Sequence, residues 1–378
     1  MLAFGHLLTG ILIISYVIKS KTERFINLFI LSKFFELTAW VLIILRGQIP
    51  DILSILLANY FLIIGSAFEI SSFLMLIEND NRIVKRVYAA LVAAYALIFN
   101  VIYFGTNAES SRVMLISLYI VIMWVYPVQK LLFYRGASIL QRSIAVLYGV
   151  ALLAFAARAI AVIRLGSSMT LTSTNFFNAL TFLILYMVML IGSIGFILLA
   201  KQKSDYKLFM AATHDNMTGI YNRSAFIEKA ASQINFHARK ERPLTFLLID
   251  IDHFKRINDT YGHQIGDDVL NEFVSVIKLQ LRSYDLFGRF GGEEFVILLP
   301  ETDRNEAEEV SERLRHTVEL QPFIMEDNEI SYTISIGAVT LIPDQNTTID
   351  LMFNCTDKAL YRAKESGRNR VDFCALND

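Results

Sequence analysis

Seven apolar stretches, at about 2–18, 26–45, 53–77, 87–105, 113–133, 138–163 and 176–200, fill the first part of the chain almost without interruption. Most reach the roughly 20 residues that a helix needs to cross a ~30 Å hydrocarbon layer. After residue 201 the pattern changes. Leu244–Asp250 reads as a buried strand that ends in an acid, and Ile265–Leu281 carries Leu270, Phe273, Val274, Ile277 and Leu281 at helical spacing. A second amphipathic helix is predicted over Arg304–Leu320, a strand over Ile330–Leu341, and a helix over Thr348–Glu365 closed by Gly367 as its C′ residue. Strands alternating with helices predict an α/β sheet faced by helices. The chain is therefore expected to be multi-domain: an all-α bundle of about seven transmembrane helices over 1–200, a helical linker over 201–213 without proline or glycine, and an α/β domain over 214–378.

Composition agrees with that division. Of the 378 residues 54% are hydrophobic, and the mean hydropathy is +0.45, the excess lying before residue 201. The formal net charge of −1 argues against a surface for nucleic-acid polymers. Basic residues between the stretches carry the topology signal. Lys19, Lys21, Arg24, Arg82, Lys85, Arg86, Lys130, Arg135, Arg142, Lys201 and Lys203 fall on one side; Arg46, Arg112 and Arg164 fall on the other. The positive-inside bias then places the N-terminus outside and residue 201 in the cytoplasm. The first stretch lacks a basic n-region and a cleavage site, so it reads as a retained helix rather than a signal peptide. External loops of about a dozen residues or fewer leave no room for a folded outer sensor domain, so a stimulus would have to reach the bundle itself. The repeats or broken polar helices of a transporter are not evident.

Lys33, Glu36, Glu69 and Arg158 lie inside the apolar stretches. Charge in hydrocarbon is costly and faces a bundle interior, which leaves a ligand or proton site and a structural ion-pair set as the two readings. Lys33 is near enough to a span end to snorkel. Trp40, Trp124 and Tyr126 read as packing or anchoring residues. Cys355 and Cys374, the only cysteines, read as free thiols.

The densest chemistry lies in Arg289-Phe-Gly-Gly-Glu-Glu-Phe295, flanked by Leu286-Phe287 and by Phe295-Val-Ile-Leu-Leu299. This predicts a hairpin with Gly291-Gly292 in a two-residue turn at positive φ, followed by the paired carboxylates Glu293 and Glu294. Acids beside backbone that approaches closely suit a divalent cation and a phosphate. Further blocks are His214-Asp-Asn-Met-Thr-Gly-Ile-Tyr-Asn-Arg223, Asp250-Ile-Asp-His-Phe-Lys255, Asn258-Asp-Thr-Tyr-Gly-His263, Gly266-Asp-Asp268 and Tyr361-Arg-Ala-Lys-Glu-Ser-Gly-Arg-Asn369. In this order and spacing, residues 205–378 resemble a GGDEF domain, the catalytic module of diguanylate cyclases, in its GGEEF form.

The resemblance implies a palm-like fold with a mainly antiparallel central sheet, and condensation of two GTP into cyclic di-GMP with release of two pyrophosphates. It implies Asp250, the Ile251 carbonyl and Glu293 as ligands of Mg²⁺ or Mn²⁺, with Glu293 as proton acceptor and Glu294 a second candidate for metal or base. Phe254, Lys255, Asn258, His263, Asp267, Gly291, Gly292, Lys364 and Arg368 are its implied substrate-binding positions. Lys364 and Arg368, four apart, share a helix face if the last helix extends that far. Asn258 and Asp267 would read guanine, because a carboxylate accepts from both N1–H and the exocyclic amine. One domain holds one GTP, so a homodimer is implied. Arg282-Ser-Tyr-Asp285 stands at the spacing of the family's RxxD inhibitory site for product, with Arg313 as contributor; a local Arg–Asp pair is the plainer reading. The expectation is a bacterial inner-membrane, multi-pass diguanylate cyclase in contact with lipid, its catalytic domain cytoplasmic. It would be controlled by the membrane region through dimer geometry and by product. The alternative is an inactive GGDEF module that only binds GTP or cyclic di-GMP.

Overall fold

The computed structural model describes residues 1–17, 23–77, 81–165, 170, 176–325 and 328–375. Lys19 and Lys21, used above for topology, lie outside the described residues. The chain divides into two compact units, Met1–Ser204 and Asp205–Asp378.

The first unit is helical throughout its elements: α1 Leu2–Val17, α2 Arg24–Ile44, α3 Ala58–Leu76, α4 Arg82–Phe104, α5 Glu109–Phe133, α6 Ile139–Leu165 and α7 Phe176–Thr213. A π-helical segment, Ile52–Leu57, leads directly into α3. Six of these helices are long and apolar enough to cross a membrane, and the shorter α1 accompanies them. α7 is one helix past the end of the last apolar stretch, because nothing between Lys201 and Thr213 breaks its hydrogen-bond ladder.

Polar side chains gather inside this unit. The Lys33 ammonium lies 2.9 Å from Glu36 and 3.1 Å from Glu69, and the Tyr148 hydroxyl donates to Glu69 at 2.9 Å. His6 Nδ1 lies 3.1 Å from Glu36 without the alignment of a hydrogen bond. The snorkelling expected for Lys33 does not occur. Its side chain is only 2% exposed, because Glu36, one turn along its own helix, and Glu69 of α3 offer it better partners than an interface would. Trp124 stacks on Tyr148 at 4.3 Å and donates to Ser66, which is a packing role.

The second unit is an α/β domain. Its strands are β1 Tyr221–Asn222, β2 Leu244–Ile251, β3 Leu286–Arg289, β4 Glu294–Pro300, β5 Phe323–Met325, β6 Asn328–Ile330, β7 Ile334–Leu341 and β8 Val371–Phe373. Its helices are α8 Arg223–Lys240, α9 Phe254–Tyr261, α10 His263–Gln280, α11 Arg304–Leu320 and α12 Ile349–Glu365. Six strands form one sheet in the order β1-β3-β4-β2-β7-β8, with the central pairs antiparallel and the two outer pairs parallel. The expected strand 330–341 is split. β6 ends at Ile330 in a separate hairpin with β5, and β7 begins only at Ile334.

β2 is buried at every position because both faces of the sheet are covered. Leu247, Ile249 and Ile251 pack with Phe273, Ile277 and Leu314 of α10 and α11. Phe246 and Leu248 pack with Phe226 of α8 and with Ala359 and Leu360 of α12. Gly337 on β7 permits that approach, since a Cβ there would meet the backbone of Thr356 and Leu360. The same docking corrects the expectation of free thiols: Cys355 of α12 and Cys374, just after β8, are joined as a disulfide with Cα atoms 5.7 Å apart.

Candidate active site

Period-two alternation decides which way the acid of β2 faces. Asp250 has the parity of Phe246 and Leu248, so it emerges on the α8/α12 side at the strand's end. There Lys364, on the last turn of α12, places its ammonium 2.8 Å from Asp250 Oδ2. The register sets Asp250 directly opposite Glu294 of β4. Like charges so placed repel, and Lys364 offsets that repulsion. Glu293 precedes β4, and its carbonyl accepts the Ile251 N–H at 3.3 Å.

Two carboxyls here sit above their ordinary range. For Asp250, burial raises the value and the Glu294 and Asp252 charges add to it, outweighing the lowering by Lys364. For Glu293, burial again comes first, followed by the Asp250 charge. Both acids are thus short of positive charge. Among the described residues no three His, Cys, Asp or Glu side chains are grouped to hold a metal ion. The Asp250 and Glu293 carboxylates and the Ile251 carbonyl are hard-oxygen donors, the type Mg²⁺ takes alongside water and substrate phosphate.

The hairpin differs from expectation. Its connection is four residues, Phe290–Glu293, closed by Phe290 N–H to Glu294 O at 2.9 Å. Neither Gly291 nor Gly292 takes a left-handed φ. The loop is held instead by Arg289, whose guanidinium donates to the Gly292 carbonyl at 2.7 Å and pairs with Asp215 at 3.1 Å. Open space surrounds the position that a Gly292 Cβ would occupy. Gly292 therefore leaves room for close approach, and neither glycine supplies an unusual turn.

Lys364 and Arg368 do not share a helix face. α12 ends at Glu365, Gly367 takes φ 112° as the C′ residue, and the Arg368 N–H returns to the Ala363 carbonyl at 3.0 Å. This is a Schellman closure. Arg368 and Asn369 follow at φ 64° and 47°. The segment is tied down by Asp252, a residue the sequence reading passed over. Its carboxylate accepts from Thr333 and Ser335 hydroxyls, each at 2.7 Å, and from the Asn369 N–H at 3.0 Å. The signal was available: Asp252 lies two residues from Asp250, as the period of a strand requires. Arg289 and Asp215 were likewise inside the quoted blocks without an assigned role.

The remaining positions lie on the next corner. His253 turns the chain at φ 58° and α9 carries Phe254, Lys255 and Asn258. Phe254 is buried in the core, whereas Lys255 is exposed. Gly262, at φ 87°, turns α9 into α10, which starts with His263 and carries Asp267.

Residues 212–370 match the family described as diguanylate cyclase, GGDEF domain. This segment is a GGDEF domain. The PleD response regulator of Caulobacter vibrioides is 40% identical over 169 residues, covering 44% of this chain and 37% of PleD. Diguanylate cyclase A of Treponema denticola is 44% identical over 144 residues, 38% of each chain. The chain thus spans less than half the length of these curated relatives. Among solved structures, the GGDEF domain of DgcB from Caulobacter crescentus in complex with c-di-GMP is 30% identical over 43% of this chain and 93% of that one, at a TM-score of 0.41. The active GGEEF domain of a Vibrio cholerae diguanylate cyclase is 31% identical over 41% and 97%, at 0.38. The GGDEF domain here places Arg282 and Asp285 between α10 and β3. They do not form the local side-chain pair of the plainer reading. Asp285 Oδ2 accepts the Arg282 backbone N–H at 2.7 Å, and its Oδ1 is buried with no hydrogen-bond partner among the described residues. The exposed Arg282 guanidinium lies over the Tyr284 ring at 5.9 Å, and Arg313 reaches the Gln280 carbonyl at 3.4 Å.

Proposed function

We propose that the protein is a membrane-bound diguanylate cyclase that joins two GTP into cyclic di-GMP and releases two pyrophosphates. The observation that carries this reading is the acidic corner at one end of the sheet, where Asp250 stands opposite Glu294 with Lys364 at 2.8 Å and the neighbouring Ile251 N–H is bonded to the Glu293 carbonyl. A set of acids short of positive charge is what a GTP–Mg²⁺ complex would complete. Asp250, the Ile251 carbonyl and Glu293 would hold Mg²⁺ or Mn²⁺, with Glu294 alongside. That ion, when bound, neutralises the triphosphate and makes the 3′-hydroxyl more acidic.

The chain's own groups do the rest. Lys255, Lys364 and Arg368 contact the triphosphate, and the open space at Gly292, with Gly291 before it, admits its oxygens. Asn258 and Asp267 read the guanine edge, with His263 beside the nucleotide. Glu293 takes the proton of the attacking 3′-hydroxyl as that oxygen closes on the other nucleotide's α-phosphorus. Two domains must face each other for either attack, so the enzyme acts as a homodimer. Misplacement near 1 Å costs on the order of 100-fold in rate, which gives the membrane region a means of control through α7. Product would inhibit at Arg282, Asp285 and Arg313, with the exposed Arg282 guanidinium offered to a phosphate or a guanine edge.

Six long apolar helices and the placement of basic residues support a bacterial inner membrane location, N-terminus outside and GGDEF domain in the cytoplasm. The test is cyclic di-GMP production by the purified full chain in lipid nanodiscs with GTP and Mg²⁺. Binding of GTP without any product would favour the receptor reading.

A further inference from the structure

The helical unit contains a partly open cavity of ≈ 190 Å³, and its lining is unusual for a bundle interior. Four cationic side chains, Lys33, Arg46, Arg112 and Arg158, face three carboxylates, Glu36, Glu69 and Glu109, one fewer than the cations. Lys33 is satisfied by Glu36 and Glu69, Arg46 by Glu109 at 3.0 Å, and Arg112 donates to Asn107. Arg158 is different. It is 3% exposed, its Nε donates to the Asn178 side-chain oxygen at 3.1 Å, and its Nη2 has no hydrogen-bond partner among the described residues. No carboxylate among those residues pairs with it. A buried guanidinium is stable when an anion meets it, and its planar fork matches a carboxylate.

The surrounding walls are apolar and aromatic. Trp40, Trp124, Phe155 and Phe182 line the space, with Phe182 6.0 Å from Arg158 and edge-on to Trp40. We propose that this cavity binds a small carboxylate with an apolar or aromatic body, its anionic end on Arg158 and its body against these rings. The bundle is then itself the receptor, and its occupancy is the stimulus. This does not depend on the cyclase reading.

The chain supplies its own probe, since its two tryptophans, Trp40 and Trp124, both line the cavity. Full-length protein in phosphatidylcholine nanodiscs is titrated with benzoate, phenylacetate and 4-phenylbutyrate, then with the corresponding amides and amines, while tryptophan fluorescence is followed. At least one acid should give a saturable change, its amide and amine should not, and Arg158→Gln should raise the midpoint by about tenfold or more. Ala151→Met, which fills the cavity and leaves Arg158 in place, should weaken the same acid and decides the matter if the arginine variant does not fold. The proposal fails if no acid saturates, if amide and acid respond alike, or if the folded variants keep the wild-type midpoint. A response only on adding phosphatidylglycerol would assign Arg158 to a lipid phosphate and also overturn it.

Discussion

Lys364 Nζ lies 2.8 Å from Asp250 Oδ2, so a residue of the last helix neutralises the acid at the end of the central strand. On the proposed function, the contact occupies an oxygen that a divalent cation would use, and GTP–Mg²⁺ would redirect Lys364 toward phosphate. Lys364→Ala is expected to raise the KM for GTP about tenfold and to lower stability without metal by about 1 kcal/mol. Added Mg²⁺ should recover most of the lost stability. Thermal unfolding with and without Mg²⁺ checks this, and a metal-independent loss would contradict it.

Glu293→Gln keeps the size and the hydrogen-bonding shape of the side chain but removes the proton acceptor. Turnover should fall by at least about 100-fold with little change in unfolding temperature. Near-normal cyclic di-GMP production by the variant would remove Glu293 from the chemistry.

Asp252 carries no assigned chemistry yet joins three donors from β7 and its approach and from the segment beyond α12. Asp252→Ala leaves those donors without a partner and should cost about 3 kcal/mol. Because Arg368 is then less well placed, KM for GTP should rise as well. Urea unfolding and steady-state kinetics together separate the two effects.

Arg282→Ala should relieve inhibition by added cyclic di-GMP and leave the uninhibited rate unchanged. Inhibition curves for wild type and variant that superimpose would show that product acts elsewhere.

Burial raises the Asp285 carboxyl, despite the Arg282 N–H and the Arg282 and Arg313 charges. A raised acid favours the folded state at low pH and loses that advantage as pH climbs through the folded value. Asp285→Asn should therefore match or exceed wild-type stability at neutral pH. The difference should shrink as pH falls through the ordinary carboxylate range, as measured by thermal unfolding across pH. A variant less stable than wild type at neutral pH would contradict this account.

Much was legible from local pattern. The helix Arg304–Leu320 and the strand beginning at Leu244 follow from spacing alone, since periodicity reflects which face a segment must bury. Asp250 and Glu293 stood out because their motif blocks are short and contiguous, and the family resemblance, not local pattern, implied their roles. Gly291 and Gly292 misled, because two glycines permit a left-handed turn without requiring one, and Arg289 fixed the loop otherwise. The Lys364–Arg368 spacing misled too, since Gly367 ends the helix between them.

The sequence by itself determined where apolar length suffices for a membrane, where periodicity changes, and which residue types cluster at the acidic hairpin. These are properties of neighbouring residues, and one stretch of chain contains them. Only the tertiary structure decided that Lys364 meets Asp250, that Cys355 meets Cys374, that Lys33 lies between two glutamates, and that Arg158 lines a cavity with its Nη2 unpartnered among the described residues. The Lys364–Asp250, Cys355–Cys374 and Lys33–Glu69 contacts each join separate elements, and their geometry is set by how sheets and helices bury their faces together. No local pattern encodes that packing.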